Sequence, residues 1–296
     1  KMLVSRSNTA KKYDRYFSEY EDSITVSKTV ADNSSNAYFL YPIQINNRDE
    51  IVITLREKYD ICIWSESVAI PEAQLAEWIT DAAGLLCSLT VPIDQSLIMA
   101  AKALKVISTI SVGVDHIDIA AATERRLPVG HTPGVLVDSA ADLTLALMLA
   151  VTRRISEADR WIRCNQWKHG WQSDLLLGTD LSQARVGVVG LGSIGQAVIR
   201  RLRGFGCQIV SWNRTPRVID DVEMVDLETL FSCSDIVTLH TALTEETSHL
   251  VTRERLAKMA DGAVLINTGR GGLVDEIALI DELTSGRLRA GLDVFE

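Results

Sequence analysis

The sequence predicts an α/β protein with two doubly wound parallel-sheet domains. Along most of its 296 residues, short apolar runs alternate with helical patterns, as in parallel strands joined by crossover helices. The alternation is clearest in the second half, which contains five strand candidates: Arg185–Val189, Gln208–Trp212, Ile236–His240, Ala263–Asn267 and Ala290–Val294. Helical patterns between them start at Ile194, Leu227, Thr252 and Asp275. A chain of this length is also long enough for two complete cores.

The first half alternates in the same way with weaker signals. Its strand candidates are Met2–Val4, Ile61–Trp64, Leu85–Leu89 and Lys105–Ile110, and its helix candidates are Pro71–Thr80, Ile93–Ala103 and Asp118–Arg126. A turn at Thr132-Pro133-Gly134 separates the halves, so we place one domain over residues 1–132 and another over 133–296. The helix Val137–Val151 after this turn is apolar nearly all round, which predicts burial on more than one side, at a domain junction or a subunit interface.

The segment Ala10–Lys58 departs from this alternation. It is polar, with a turn-rich cluster at Asp32–Asn36 and a strand-like run at Glu50–Leu55. Such a segment buries too little apolar area to become fully ordered, so we expect an irregular or mobile surface insertion.

The composition excludes several classes of function. A net charge of −9 argues against nucleic acids and anionic membranes as partners, because their phosphates require a basic surface. No apolar stretch approaches the ~18 residues of a membrane span, and no secretory signal pattern is present. The 5 cysteines are odd in number and lack CxxC spacing, which predicts reduced thiols in a cytoplasmic protein and no metal site.

A glycine-rich motif, Gly190-Leu191-Gly192-Ser193-Ile194-Gly195, joins the strand that ends at Val189 to the following helix. This context predicts the phosphate-binding turn of a Rossmann-like dinucleotide fold rather than an ordinary glycine-rich turn. Gly190 permits the tight turn, Gly192 lets the backbone approach a pyrophosphate, and Gly195 allows close helix–strand packing. The anion then lies on free amides at the positive end of the helix dipole.

The end of the next strand indicates which nucleotide binds. An NAD site places a carboxylate about 20 residues further on, where it bonds the ribose 2′-hydroxyl. Here the sequence reads Trp212-Asn213-Arg214-Thr215-Pro216-Arg217, without an acid. Arg214 and Arg217 could hold a 2′-phosphate, and Asn213 and Thr215 could donate hydrogen bonds to it. We therefore predict NADPH, with NADH possible; two solvated arginines in a surface turn are the alternative.

Five further segments form a set, in this order along the chain: Leu85–Leu89, Leu104–His116, Thr132–Leu136, Ile266–Asp275 and Gly291–Glu296. Together they resemble the D-isomer-specific 2-hydroxyacid dehydrogenase family, and among its members the glyoxylate/hydroxypyruvate reductases most closely. The resemblance covers the chain from Ile61 to Glu296. It implies two doubly wound domains, one for the substrate and one for NAD(P), with the active site in the cleft between them.

The resemblance also implies the roles of residues that contact the substrate. The backbone at Val112 and Gly113 would receive the substrate carboxylate. Arg270 would grip that carboxylate and polarise the 2-oxo group, as its place after a parallel strand also suggests. Trp171 matches a tryptophan that, in homodimers of this family, reaches into the partner's active site. We therefore expect a homodimer, formed through the helix Val137–Val151 and the segment carrying Trp171.

Other positions match residues that contact the cofactor. By the resemblance, Gly192, Ser193 and Ile194 would contact the pyrophosphate, while Thr268 and Asp293 would flank the nicotinamide. Asp293 is predicted to lie inside an apolar strand, where an unpaired carboxylate is costly. His240 is expected to have a structural or cofactor-contact role. Ala242 stands where the family usually has a proline, which loosens that part of the cofactor site.

The family mechanism requires an arginine that orients the oxo acid, a histidine that donates the proton, and a glutamate that raises the histidine's pKa. By the resemblance, the glutamate belongs just beyond Glu296 and the histidine later still, so the sequence contains neither. The substrate domain is then incomplete. We expect such a chain to bind NADPH and to turn over substrate slowly, unless Glu296 or a water supplies the proton.

Taken together with the NADPH prediction, the resemblance implies NADPH-dependent reduction of a small 2-oxo acid, such as glyoxylate or hydroxypyruvate, to the 2-hydroxy acid. Three alternatives stay open. One is a phosphoglycerate-type dehydrogenase, which usually has an acid where Asn213 stands. Another is a non-catalytic nucleotide-sensing protein similar to the co-repressors that resemble these enzymes. The last is an inactive truncated relative.

Overall fold

The computed structural model describes residues 24–26, 43–45 and 70–296, apart from His169 and Trp171. The chain divides into two compact units, Lys1–Pro133 and Gly134–Glu296. Within the predicted insertion, an antiparallel pair is described: β1 (Ile24–Val26) and β2 (Ile43–Ile45). The rest of the insertion lies outside the described residues, as do the predicted strands Met2–Val4 and Ile61–Trp64.

The first unit contains, in its described part, a three-stranded parallel sheet in the order β3, β4, β5. The strands are β3 (Gly84–Cys87), β4 (Val106–Thr109) and β5 (Val129–Gly130), and the helices are α1 (Glu72–Ile79), α2 (Gln95–Ala100) and α3 (Ile119–Glu124). Asp94 and Asp118 cap α2 and α3, because each carboxylate accepts an amide of the first turn at 2.8 Å. The apolar faces of these helices and Ile107 of β4 form one core.

Three expectations for the first unit need correction. The strand predicted at Leu85–Leu89 ends at Cys87, and Leu86 and Leu89 are exposed. Alternate residues of a strand face opposite sides, and only the side that includes Cys87 meets the core. The helix predicted from Ile93 starts later, at Gln95, since Ile93 pairs with Ile117 as an isolated bridge. The two-residue strand β5 was not predicted, because two residues are too few to show the alternation of apolar and polar residues that indicates a strand.

The second unit contains a six-stranded parallel sheet in the order β11-β10-β9-β6-β7-β8. The strands are β6 (Arg185–Val189), β7 (Gln208–Trp212), β8 (Glu223–Met224), β9 (Ile236–Leu239), β10 (Val264–Asn267) and β11 (Arg289–Leu292). The strand order reverses between β6 and its neighbours β7 and β9, which is the arrangement of a doubly wound sheet. The predicted fold class is therefore confirmed, and β8 is the strand of this unit that the sequence did not indicate.

The helices of the second unit cover both faces of its sheet. They are α4 (Val137–Thr152), α5 (Ile155–Arg163), α6 (Ser193–Leu202), α7 (Leu227–Cys233), α8 (Arg253–Lys258) and α9 (Glu276–Thr284). Two apolar clusters result, one that includes Val186, Val188 and α6, and one that includes Val189, Val237 and α7. Adjacent residues of β6 thus belong to opposite clusters, which explains why the strand is apolar throughout.

Two helices differ from the sequence expectation. The predicted helix α4 buries one face, which carries Ala141, Thr144, Leu145, Met148 and Thr152, whereas Leu143 is exposed. Helix α5 was not predicted, and it has no buried residue. Among the described residues, no helix has the length and apolarity required to cross a membrane.

Candidate functional site

The carboxyl ends of the strands in the second unit are in register. Val189 pairs with both Trp212 and Leu239, and Asn267 pairs with both Leu239 and Leu292. In a parallel sheet, residues that directly follow such pairs lie along one edge, and this edge is where ligands bind in doubly wound folds. Those residues include five that the sequence analysis singled out: Gly190, Asn213, His240, Thr268 and Asp293.

Two glycines of the motif are required by contacts with backbone. Gly190 has φ +98°, and a Cβ there would lie 2.6 Å from the carbonyl oxygen of His240. A Cβ on Gly195 would lie 2.0 Å from the carbonyl oxygen of Gly190. Backbone cannot move aside as a flexible side chain can, so both positions exclude any larger residue. These contacts agree with the roles inferred for a tight turn and for close packing of α6.

The N-terminus of α6 is shaped to receive an anion. Gly192 is the residue before the helix, and a Cβ there would have no atom within 4 Å. The amides of Gly192, Ser193 and Ile194 donate to no acceptor among the described residues. Free amides at a helix N-terminus carry partial positive charge and bind phosphate groups. The residues present therefore fit a dinucleotide pyrophosphate.

The segment after β7 is tied to the glycine motif by side chains. Asn213 accepts the amide of Leu191 at 2.8 Å through Oδ1 and donates to the carbonyl of Thr215 at 2.6 Å through Nδ2. Arg217 donates to the carbonyl of Leu191 at 3.1 Å. Asn213 therefore holds the turn in place. The sequence suggested instead that Asn213 donates to a 2′-phosphate, because its bonds to backbone groups cannot be read from the residue type.

Arg214 lies beyond this turn and is exposed. Its guanidinium is 2.7 Å from the carboxylate of Glu246, and both side chains are about 70% exposed, at 71% and 70%. Glu246 belongs to the loop after β9, in which the carbonyl of Ala242 accepts the Thr247 hydroxyl at 2.7 Å. Sequence reasoning missed Glu246 because the pairing joins two loops far apart in the chain. A ligand phosphate that binds Arg214 would therefore compete with the Glu246 carboxylate for the guanidinium.

His240 lies against the glycine motif. Its carbonyl oxygen is close to Gly190, and its Nε2 is 2.9 Å from the Thr238 hydroxyl. Burial lowers the pKa of His240 to about 4, so the ring is neutral at neutral pH. A neutral imidazole adds no positive charge at this edge. His240 therefore supports the turn by packing and hydrogen bonding rather than as a cation.

The turn after β10 presents Arg270. Buried Asn267 accepts the amide of Gly269 at 3.0 Å and donates to the carbonyl of Arg270 at 2.8 Å, so one side chain closes the turn. Thr268 is tied to α4 through a hydrogen bond of 2.9 Å between its hydroxyl and that of Thr144. Asn267 and Thr144 were not singled out in the sequence. A buried polar residue at the end of an apolar strand is the signal that would have found Asn267.

The position of Asp293 differs from the expectation. Strand β11 ends at Leu292, and Asp293 is exposed rather than enclosed in an apolar strand. Its amide still donates to the carbonyl of Asn267 at 3.0 Å, which keeps Asp293 beside the Thr268 turn. The carboxylate is therefore solvated at the carboxyl edge of the sheet, so its charge carries no desolvation penalty. Glu296, considered above as an alternative acid, accepts a hydrogen bond from His249 at 3.1 Å.

In the first unit, the loop at Val112 and Gly113 follows β4 and has its carbonyls occupied. The carbonyl of Val112 is 2.8 Å from His131 Nδ1, and that of Gly113 accepts the Ser111 hydroxyl at 2.6 Å. The Val114 carbonyl accepts the amide of Ile117 at 3.0 Å. In contrast, the amides of residues 112, 113 and 114 have no acceptor among the described residues. Such a loop is suited to bind a carboxylate.

Trp171, expected to act across a subunit interface, lies outside the described residues. The other sequence-predicted site residues divide between the units: Val112 and Gly113 in the first, and the cofactor residues and Arg270 in the second.

Comparisons with known proteins extend over most of the chain. Residues 145–296 match the family described as D-isomer specific 2-hydroxyacid dehydrogenase, NAD binding domain. Glyoxylate reductase of Thermofilum pendens is 47% identical over 249 residues, which are 82% of this chain and 74% of that protein. Glyoxylate reductase of Thermococcus litoralis is 44% identical over 246 residues, 80% of this chain and 74% of that protein.

A solved structure is similar to the same extent. The TT0316 protein from Thermus thermophilus has a TM-score of 0.75 and 45% sequence identity, and the match covers 83% of this chain and 78% of that one. These matches contain more residues than the second unit, so the similarity reaches into the first.

Proposed function

Since the chain belongs to the D-isomer-specific 2-hydroxyacid dehydrogenase family, we propose that it reduces a small 2-oxo acid to the 2-hydroxy acid with NADPH. Glyoxylate and hydroxypyruvate are the proposed substrates, in line with the glyoxylate reductases that it resembles. The observation that carries the proposal is the place of Arg270. It follows β10, two strands from the glycine turn of β6 along one sheet edge, where a cation can meet an anionic substrate near the nucleotide.

The residues of the chain bind and orient the reactants. When bound, the nicotinamide nucleotide supplies the hydride that reduces the 2-oxo carbon. The free amides at the N-terminus of α6 would hold the pyrophosphate, and by the resemblance Thr268 and Asp293 would flank the nicotinamide. By the resemblance, the amides of Val112 and Gly113 would receive the substrate carboxylate. The resemblance also implies that Arg270 would bind the carboxylate and polarise the carbonyl so that it accepts charge. One proton must then reach the oxygen of the carbonyl for the reaction to balance.

The preference for NADPH rests on the segment after β7. It offers Arg214 and Arg217 and no carboxylate at the position that bonds a ribose 2′-hydroxyl. We expect NADPH to bind more tightly than NADH, and Arg214→Asp to reverse the order. Fluorescence titration of each nucleotide against both proteins measures this. Tighter binding of NADH by the unaltered protein would contradict the proposal.

The substrate test uses binding as well as turnover. Oxamate, a 2-oxo acid analogue that is not reduced, should bind the NADPH complex, and Arg270→Leu should abolish this binding. Turnover of glyoxylate and hydroxypyruvate above that of phosphohydroxypyruvate separates the proposal from a phosphoglycerate-type enzyme. NADPH binding without oxamate binding would indicate a nucleotide sensor instead.

We also propose that the protein is a homodimer through α4, α5 and the segment carrying Trp171. Helix α5 supports this, because its Ile155 and Ile162 are 53% and 59% exposed, and Leu143 of α4 is also exposed. Exposed apolar side chains on consecutive helices favour association. Analytical ultracentrifugation should give a dimer at micromolar concentration, and Ile162→Glu should give a monomer. A monomeric unaltered protein would be the contrary result.

A further inference from the structure

We propose that His131 and a chain of side chains from His116 through Thr109 to Ser111 are positioning residues for the substrate carboxylate. They hold the carbonyls of Val112 and Gly113, so that the amides of the same two peptide groups, those of Gly113 and Val114, point the opposite way and are left for a ligand. The inference rests on the proposed function, because it assumes that these amides receive the carboxylate. None of the four residues was assigned this role by its sequence.

The proposal starts from the hydrogen bonds of the loop. A peptide group points its carbonyl and its amide in opposite directions, so fixing one end fixes the other. The carbonyl of Val112 is held by His131 at 2.8 Å, and that of Gly113 by Ser111 at 2.6 Å. Two consecutive carbonyls are therefore held by side chains rather than by strand or helix. The amides of these two peptide groups, those of Gly113 and Val114, have no acceptor among the described residues.

The direction of each hydrogen bond in the chain follows from counting protons. Ser111 has one hydroxyl proton and gives it to the Gly113 carbonyl, so it must accept from Thr109 Oγ1 at 2.8 Å. Thr109 then has no proton left for His116 Nε2, 3.1 Å away, and must accept one from it. Ser111 and Thr109 are buried, at 5% and 0% exposure, so water does not replace these partners. His116 Nε2 therefore carries a hydrogen.

The tautomer of His131 is determined in the same way. A carbonyl oxygen only accepts, so the Nδ1 of His131 must carry the hydrogen that bonds Val112. His131 follows β5, while Ser111 directly precedes the loop and bonds a different carbonyl. Two independent tethers thus act on neighbouring peptide groups. Losing either one would let a peptide rotate and turn its carbonyl toward the substrate carboxylate, which it repels.

The test compares variants that keep or remove the hydrogen-bond donor. Asparagine places its side-chain amide close to the position of a histidine Nδ1, so His131→Asn keeps a donor, whereas His131→Phe keeps the ring and loses it. Ser111→Ala removes the second tether. Thr123→Val is the matched control, because it removes a 2.7 Å hydroxyl–carbonyl bond in α3 of the same unit, away from the loop.

The readout is the Kd of oxamate for the NADPH complex, together with the Kd of NADPH alone. A hydrogen bond contributes enough to change binding by about 3- to 10-fold. We expect His131→Phe and Ser111→Ala to weaken oxamate binding by that factor, with NADPH binding unchanged. His131→Asn and Thr123→Val should stay within about 2-fold of the unaltered protein. Hydrogen exchange of the loop amides should be faster in His131→Phe than in His131→Asn.

The outcomes separate this inference from the proposed function. If the unaltered protein binds oxamate and both His131→Phe and Ser111→Ala bind it equally well, the inference is wrong and the proposed function stands. If the unaltered protein binds NADPH but not oxamate, the proposed function fails and the inference with it. If buried Ser111→Ala does not fold, the exposed His131 pair decides the question. If His131→Asn and His131→Phe weaken oxamate binding equally, the hydrogen-bond donor of His131 does not position the loop, and this part of the inference is wrong.

Discussion

The glycine turn Gly190–Gly195 and the loop Val112–Val114 both leave consecutive amides without acceptors among the described residues, but they are held in different ways. In the glycine turn, backbone packs directly against backbone, and a Cβ on Gly195 would lie 2.0 Å from a carbonyl oxygen. In the loop, the carbonyls are held by His131 and Ser111 side chains. The first arrangement requires that Gly190 and Gly195 have no side chain, although Asn213 also accepts the amide of Leu191, whereas the second is held by side chains.

This difference explains why the glycine turn can be recognised from the amino-acid sequence, whereas the way in which the loop is held cannot. Close backbone contact tolerates only glycine, so the turn leaves a fixed spacing in the sequence. Many kinds of donor can hold a carbonyl from many directions, so the loop has no characteristic spacing of residues in the sequence. The difference between the sites also predicts different responses to mutation. A Cβ that clashes with backbone is hardly tolerated at all, whereas one hydrogen bond contributes modestly to binding free energy. Four predictions test this contrast.

The largest effect is expected in the glycine turn. Gly195→Ala should weaken NADPH binding at least about 100-fold, because α6 must shift by an ångström or more and carry its amides away from the phosphates. Gly192→Ala should weaken NADPH binding about 10-fold with an unchanged melting temperature, because its methyl group meets no protein atom but occupies the phosphate approach. Gly204→Ala, also in open space, is the control. Equal binding by Gly195→Ala and Gly204→Ala would contradict the steric argument.

The next effect concerns Asn267, a side-chain tether in the same unit as the glycine turn. Asn267→Leu should lower the free energy of unfolding by about 2 to 4 kcal/mol, because the Gly269 amide and the Arg270 carbonyl lose their partners. It should also weaken oxamate binding by releasing Arg270. Urea unfolding and oxamate titration measure both. A variant that loses stability and keeps its oxamate affinity would show that Asn267 does not position Arg270.

A smaller effect should follow from the neutral imidazole beside the glycine turn. The pKa of His240 is about 4 in the folded protein, below the ~6.5 of an unfolded chain, so the unfolded state binds the proton first as pH falls. The stability from this group is present above pH ~6.5 and is lost toward pH 4. Between pH 7 and pH 5 the loss should be about 1–2 kcal/mol. His240→Gln should remove this part of the pH dependence, and an unchanged slope would argue against burial as its cause.

The smallest effect is expected at the exposed pair of Arg214 and Glu246. Glu246→Gln should tighten NADPH binding about 2- to 5-fold, because it frees the guanidinium and removes a negative charge near the 2′-phosphate. NADH binding should not change, since NADH has no phosphate there. The effect should fade in high salt, which screens exposed charges. Equal tightening of both nucleotides would show that Glu246 acts on the loop rather than on the phosphate.

The sequence by itself determined the α/β class, the strand–glycine–helix turn, and the place of Arg270 after a parallel strand. These features depend on period, spacing and order along the chain. It indicated neither β8 nor β5, because two-residue strands such as Glu223–Met224 exist only through pairing with a neighbour. It also placed Asp293 inside a strand, because an apolar run does not show where pairing ends.

Only the tertiary structure decided how side chains hold the loops. Thr144 and Thr268 bond across 124 positions of sequence, and Leu191 and Asn213 across 22. The neutral state of His240 depends on what surrounds it, and the tautomers of His116 and His131 depend on which carbonyl or hydroxyl lies opposite. A hydrogen bond requires atoms within about 3 Å and well aligned, and distance in space does not follow from distance along the chain.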